Sequence, residues 1–172
     1  MRDLKLPALY RGRPLLTLED DFDEAREIRR ASGRIISATS AIDQVIAEII
    51  ADTLFREVKE QRELVFGSVL SSEWCSLAAK RKLLNIVIEQ FQLLDGPEKK
   101  ELESNLKKIT QYRNAFAHGT LTHNGETQEL EYFEGTPRKA KLDDVYFEKL
   151  EIVFRRTWEA LKGIQEKIKI TA

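Results

Sequence analysis

Ile35, Ile42, Val45, Ile46, Ile49 and Ile50 recur at three-, four- and seven-residue steps, with Ile28 seven residues ahead of the first. That spacing lines them up on one stripe of an α-helix and is incompatible with the alternation of a half-buried strand. The spacing predicts a long first helix ending between Leu54 and Glu60, with Ser32–Gly33 as a place where it could bend. Thr17 with Asp20 resembles a capping box, and the acidic run from Glu19 to Glu24 suits a helix N-terminus. A long helix with so apolar a stripe must bury it against other elements, which makes a bundle the natural architecture.

The rest of the chain supplies those elements. From about Ser72, residues Leu77, Leu83, Leu84, Ile86, Val87, Ile88, Phe91 and Leu94 predict a second helix, apolar enough to be buried on more than one side. It should stop at Asp95–Gly96–Pro97, where Pro97 opens a third helix and Asp95 with Glu98 is spaced for a capping box. The third helix, about 97–118, has a charged outer face and a stripe of Leu102, Leu106, Ile109 and Phe116. Asn124–Gly125 then gives a strong hairpin signal, and Glu134–Gly135–Thr136–Pro137 a second turn before a short strand near 138–142. Asp143 or Asp144 can cap a last helix through Tyr146, Leu150, Val153, Phe154, Trp158 and Leu161. The expected fold is all-α: an antiparallel helical bundle with a small β-hairpin or meander, about 119–142, inserted before the last helix. Residues 1–16, containing Pro7, Gly12 and Pro14, read as an extended arm, and 17–172 as a single domain.

Charge limits the function classes. Lys and Arg number 28 against 29 Asp and Glu, so nucleic acid cannot be held by a global basic field, only by a local patch. Cys75 is the single cysteine, which excludes an intrachain disulfide and fits a reducing compartment. Arg11, Arg13 and Pro14 interrupt any apolar signal core near the N-terminus, and no run approaches the roughly 20 apolar residues of a membrane span. A cytoplasmic protein with no membrane partner is expected. P-loop, Rossmann and Ser/His/Asp patterns are absent, which argues against common NTPase, dehydrogenase and hydrolase chemistry.

The chemistry concentrates in QYRNAFAHGT, residues 111–120. On a helical wheel Arg113 falls at the edge of the Leu102–Phe116 stripe, and Arg113, Asn114 and His118 span roughly 140° of one flank. A guanidinium there cannot lose its charge and needs an anionic or carbonyl partner. Gly119 reads as the C′ glycine that ends the helix. An imidazole beside a fixed Arg suits acid–base chemistry on a phosphodiester, without metal if the RNA's own 2′-hydroxyl attacks. The structural alternative is plain: Arg113 bridging helices and His118 capping a helix end.

Arg113–Asn114–Ala115–Phe116–Ala117–His118 resembles the R-N-x-x-x-H motif of the HEPN superfamily. Those proteins are helical bundles, often dimeric, and many are metal-independent endoribonucleases of toxin–antitoxin, phage-defence or RNA-processing systems. The stretch SLAAKRKLLNIV, 76–87, is similar to a segment of the mannitol-operon repressor family, a related helical group concerned with transcription regulation. The resemblance spans roughly residues 25–120 and is specific over 113–118. It implies catalytic roles for Arg113 and His118, with Asn114 as the polar residue after the Arg, and places Lys82 at a second basic position. It also implies RNA or a nucleotide as partner, a homodimer with two motifs facing across a cleft, and an accompanying antitoxin or other protein. The alternative is a non-catalytic regulatory module of the mannitol-repressor kind. One branch of ribonuclease toxins has Tyr two residues after the His; here that position is Thr120.

Other candidates are weaker. Arg26, Arg30 and Arg34 form one stripe of the first helix, with Arg29 nearby, and could track a phosphate backbone or simply pair with acidic neighbours. Lys80, Arg81 and Lys82 cannot all face one way. His118 and His123 have no Cys companion and no carboxylate at a familiar ligand spacing, so neither metal nor cofactor is expected.

Overall fold

The computed structural model describes residues 23–124 and 127–170, with side chains described from residue 30 onward except at 123–127. The arm at 1–16 and the capping box at Thr17 lie outside the described residues. Five α-helices occur in chain order: α1 (Asp23–Leu54), α2 (Lys59–Leu64), α3 (Leu77–Gln90), α4 (Gly96–His118) and α5 (Asp144–Ile170). Between α4 and α5 stand β1 (Thr120–Asn124), β2 (Thr127–Glu134) and β3 (Thr136–Lys141). The protein is therefore mostly helical, with a small antiparallel sheet of order β1-β2-β3 before the last helix.

The isoleucine stripe is the spine of the core. Ile35, Ile42, Ile46 and Ile49 have no exposed surface, and Ala31, Ala38 and Ala41 keep the same face of α1 narrow enough for close packing. Thr39 and Thr53 donate their hydroxyls to the carbonyls of Ile35 and Ile49, so these polar groups sit within the helix at no hydrogen-bonding cost. The assignment remains α-helical across Ser32–Gly33. The other walls come from Leu84, Val87 and Ile88 of α3, Leu102, Leu106 and Ile109 of α4, and Phe147, Leu150, Phe154, Leu161 and Ile164 of α5.

Cross-links fix the helix directions. Gln165 donates to Glu48, and Arg56 donates to the Ile168 carbonyl at 2.7 Å, so α1 and α5 end side by side. Tyr112 packs on Tyr146, and Lys167 reaches the Leu93 carbonyl, so α4 runs antiparallel to α5. The C-terminus of α4 thus lies at the same end of the bundle as the first turns of α1 and α5.

Several expectations need correction. The segment between α1 and α3 holds α2 and a π-helical turn, Val65–Leu70, closed by the Ser71 amide on the Phe66 carbonyl at 2.9 Å. The second long helix begins at Leu77, not Ser72, because Ser76 accepts from the Ala79 amide and caps it. It ends at Gln90: Gln92 adopts φ 50°, and the Leu93 amide closes on the Ile88 carbonyl, a Schellman arrangement with Gln where Gly is usual. This helix is buried on one side only, since Ile86 and Phe91 are exposed. Asp95 makes no side-chain cap bond, so the capping box is absent and Pro97 in the first turn is the start signal that remains. Asp143 is the α5 cap, accepting from the Tyr146 amide at 2.9 Å.

In the sheet, Asn124 pairs with Thr127, and Glu134 pairs with Thr136 around Gly135, whose φ of 71° is the left-handed conformation that glycine adopts freely. Leu121, Leu130 and Ala140 share one face, with Leu130 buried.

Candidate nucleic-acid interface

Helix α4 delivers the motif. Leu106 and Ile109 are fully buried, yet Arg113 is exposed although its bearing on the wheel lies between theirs. The bundle therefore stops covering this bearing between Ile109 and Arg113. Ala117, one turn further along the same flank, is also exposed and too small to screen its neighbours. On the other side of the helix Ala115 and Phe116 remain buried, and Tyr112, Phe116 and Phe147 pack around the Tyr146 ring. One end of one helix thus carries an aromatic, buried side and a polar, open side.

Arg113 donates from Nη1 to Asn114 Oδ1 at 3.0 Å, and among the described residues it meets no carboxylate. His118, in the last turn, is exposed and not covered by the sheet. Asn114 is exposed as well. The structure therefore brings Arg113 and Asn114 into contact, and keeps His118 on the same helix end, five residues beyond Arg113, without a direct bond to either.

Gly119 follows the helix, but not as a left-handed cap: its φ is −79° and its ψ 158°, which any residue can adopt. Its smallness matters for a different reason. A Cβ there would collide with the Ala115 carbonyl, and would stand 2.7 Å from Leu130 Cδ1 and 2.9 Å from the Glu131 carbonyl. Gly119 lets β2 fold back against the end of α4, and the Gln111–Glu134 hydrogen bond holds the same two elements together. The sheet thereby lies along the Gln111–Ala115 side of the helix, the bearing next to His118, and leaves the Arg113 side open.

The secondary basic residues are scattered. Arg30 and Arg34 are exposed on the N-terminal half of α1, at the same end of the bundle as the motif. Arg26 belongs to the first turn of α1, and its side chain lies outside the described residues. Lys82 is exposed on α3, but it stands two residues past Lys80, which is bonded to Asp43 near the middle of α1. Lys82 therefore belongs to the waist of the bundle, apart from Arg113. His123 lies in β1 with its side chain outside the described residues. Among the described residues no cluster of three or more His, Cys, Asp or Glu is arranged to hold a metal ion.

Lys80 is the residue that the sequence reading missed. It is 4% exposed and its ammonium donates to Asp43 Oδ2 at 2.6 Å. A signal was present: Lys80 precedes Leu84 by four residues and Val87 by seven, so it occupies the apolar stripe of α3. Asn105, buried on α4, was missed for the same reason.

No family model, curated protein or solved structure matches this chain. Among the described residues no helix is long and apolar enough to cross a membrane.

Proposed function

We propose that this is a HEPN-like protein that binds RNA or a nucleotide through Arg113, Asn114 and His118 and cleaves RNA without a metal. The observation that carries the reading is the joint exposure of Arg113 and His118 at one helix end, with Arg113 free of any carboxylate among the described residues. A structural guanidinium would be spent on an internal acid; this one faces solvent, where a phosphate can reach it.

The chemistry follows from these groups. Neutral His118 accepts the proton of the RNA 2′-hydroxyl as the 2′-oxygen bonds to phosphorus. Arg113 stabilises the charge that builds on the equatorial oxygens. The bond from phosphorus to the 5′-oxygen then breaks, leaving a 2′,3′-cyclic phosphate and a 5′-hydroxyl. In-line displacement places the entering and leaving oxygens on opposite sides of phosphorus, so one imidazole cannot serve both. A homodimer with two motifs across a cleft supplies the second, and the partner's His118 protonates the leaving oxygen.

The test is incubation of wild type, Arg113→Ala and His118→Ala with RNA in the presence of chelator. Metal-independent cleavage giving 2′,3′-cyclic ends, abolished by both substitutions, is the expected result. Equal inertness of all three at high protein concentration overturns the enzyme and leaves the non-catalytic regulatory module of the mannitol-repressor kind.

A further inference from the structure

The opposite end of α4 carries a second feature. A groove of about 550 Å³ runs between the N-terminal half of α4 and the C-terminal half of α5, with Leu94, Leu102 and Ala160 in its walls. It extends from 94 to 105 on one side and from 156 to 167 on the other, about three helical turns or ~16 Å.

Two independent observations mark it as shaped for an occupant. Asn105 lines the groove, is only 6% exposed, and makes no side-chain hydrogen bond among the described residues. Its amide therefore opens only onto the groove and is available to a group that enters it. Gly163 stands inside α5, where glycine is less favourable than alanine. Among the described residues nothing requires it, because a Cβ at that position would meet no atom within 4 Å. The missing side chain leaves room above the helix for a group from elsewhere.

The rim sets the sign of that group. Arg156 is committed to Glu101 at 2.8 Å, and Lys167 to the Leu93 carbonyl at 3.0 Å. Glu98 and Glu159 are exposed and have no such partner among the described residues. Over the lining as a whole Glu98, Glu101 and Glu159 outnumber Arg156 and Lys167, so the net charge is negative and a cation is attracted.

We propose that the α4–α5 groove docks a basic amphipathic helix of a partner protein. A trough open along its side between two antiparallel helices is the seat a third helix takes in a bundle. The partner's apolar side chains pack on Leu102 and Ala160, one of them projects over Gly163, a polar one meets the Asn105 amide, and its Lys or Arg residues pair with Glu98 and Glu159. This inference is independent of the RNA reading, since the two sites occupy opposite ends of α4.

The test uses the full chain and a displayed library of helical 14-residue peptides, selected on wild type with counter-selection on Gly163→Leu. Circular dichroism and thermal melting confirm that the variant folds, and Glu159→Lys, an exposed position, serves as a second variant free of folding risk. The expected winners are cationic, apolar at i, i+3 or i+4 and i+7, and at least tenfold weaker on both variants. Winners that are acidic or uncharged overturn the proposal, as does binding that neither variant weakens. A wild-type dimer in sedimentation velocity that Gly163→Leu abolishes also overturns it, because the occupant is then a second copy.

Discussion

The Arg113 guanidinium donates to Asn114 Oδ1 at 3.0 Å, one neighbour orienting the other at an exposed helix end. The amide positions the cation without neutralising it. Asn114→Asp keeps the shape and supplies a carboxylate, so the guanidinium becomes sequestered. RNA affinity, read by fluorescence anisotropy, should fall up to about fivefold, the size of one exposed ion pair. The difference should shrink at high salt, and Asn114→Ala should change affinity less than Asn114→Asp does.

His118→Ala should lower the cleavage rate by about 10²–10⁴, the usual weight of a positioned acid–base group. Arg113→Lys should restore only part of what Arg113→Ala loses, because an ammonium lacks the planar fork that grips two phosphate oxygens. Both side chains are exposed. The variants' thermal midpoints should therefore match wild type to within about 0.5 kcal/mol of stability.

Gly119→Ala should loosen the sheet. The added methyl meets two backbone carbonyl oxygens, which cannot swing aside, and the Cδ1 methyl of buried Leu130. Overpacking of this kind costs about 1–3 kcal/mol. Urea unfolding measures the loss, and amide exchange in β2 should speed up more than exchange in α1.

Asp43→Ala strands the Lys80 ammonium in the core, where its side chain is 5% exposed against 30% for Asp43. The expected loss is about 1.5–3 kcal/mol, reduced from the fully buried case because the carboxylate is partly screened. Replacing both partners, with Lys80→Met and Asp43→Ala, should recover much of it. Chemical denaturation of the four proteins closes the double-mutant cycle.

Burial pushes the Tyr146 phenol above its ordinary ionisation range, and burial likewise raises Tyr112. A raised phenol favours the fold fully below its unfolded value near 10 and loses that contribution as pH climbs toward the folded value. Thermal midpoints of wild type should therefore fall above about pH 10, by up to ~1.4 kcal/mol per pH unit for each such phenol. Tyr146→Phe should flatten that decline; an unchanged slope contradicts the assignment to this ring.

The periodicity of Ile35–Ile50 made α1 legible, and the Leu102–Phe116 stripe made α4 legible, because a helix buried on one side writes its period into the apolar residues. The turn signals at Asn124 and Gly135 located the sheet. What escaped lacks such a period. Residues 59–70 form a short helix and a π turn with only Leu70 buried, so tertiary packing leaves little imprint on their sequence. Lys80 and Asn105 sit on apolar stripes and contradict their own positions, and only the contact with Asp43 and the groove between α4 and α5 reveal them. At the motif, the residue types were readable but their exposure was not, since that depends on where neighbouring helices stop.

The third strand bears Pro137, Arg138, Lys139 and Lys141 along an outer margin of the sheet, all exposed. A bare margin of this kind invites foreign backbone to zip onto it, and proline and like charges are what discourage such recruitment. The outer margin of the meander is accordingly a poor template for a strand of another chain.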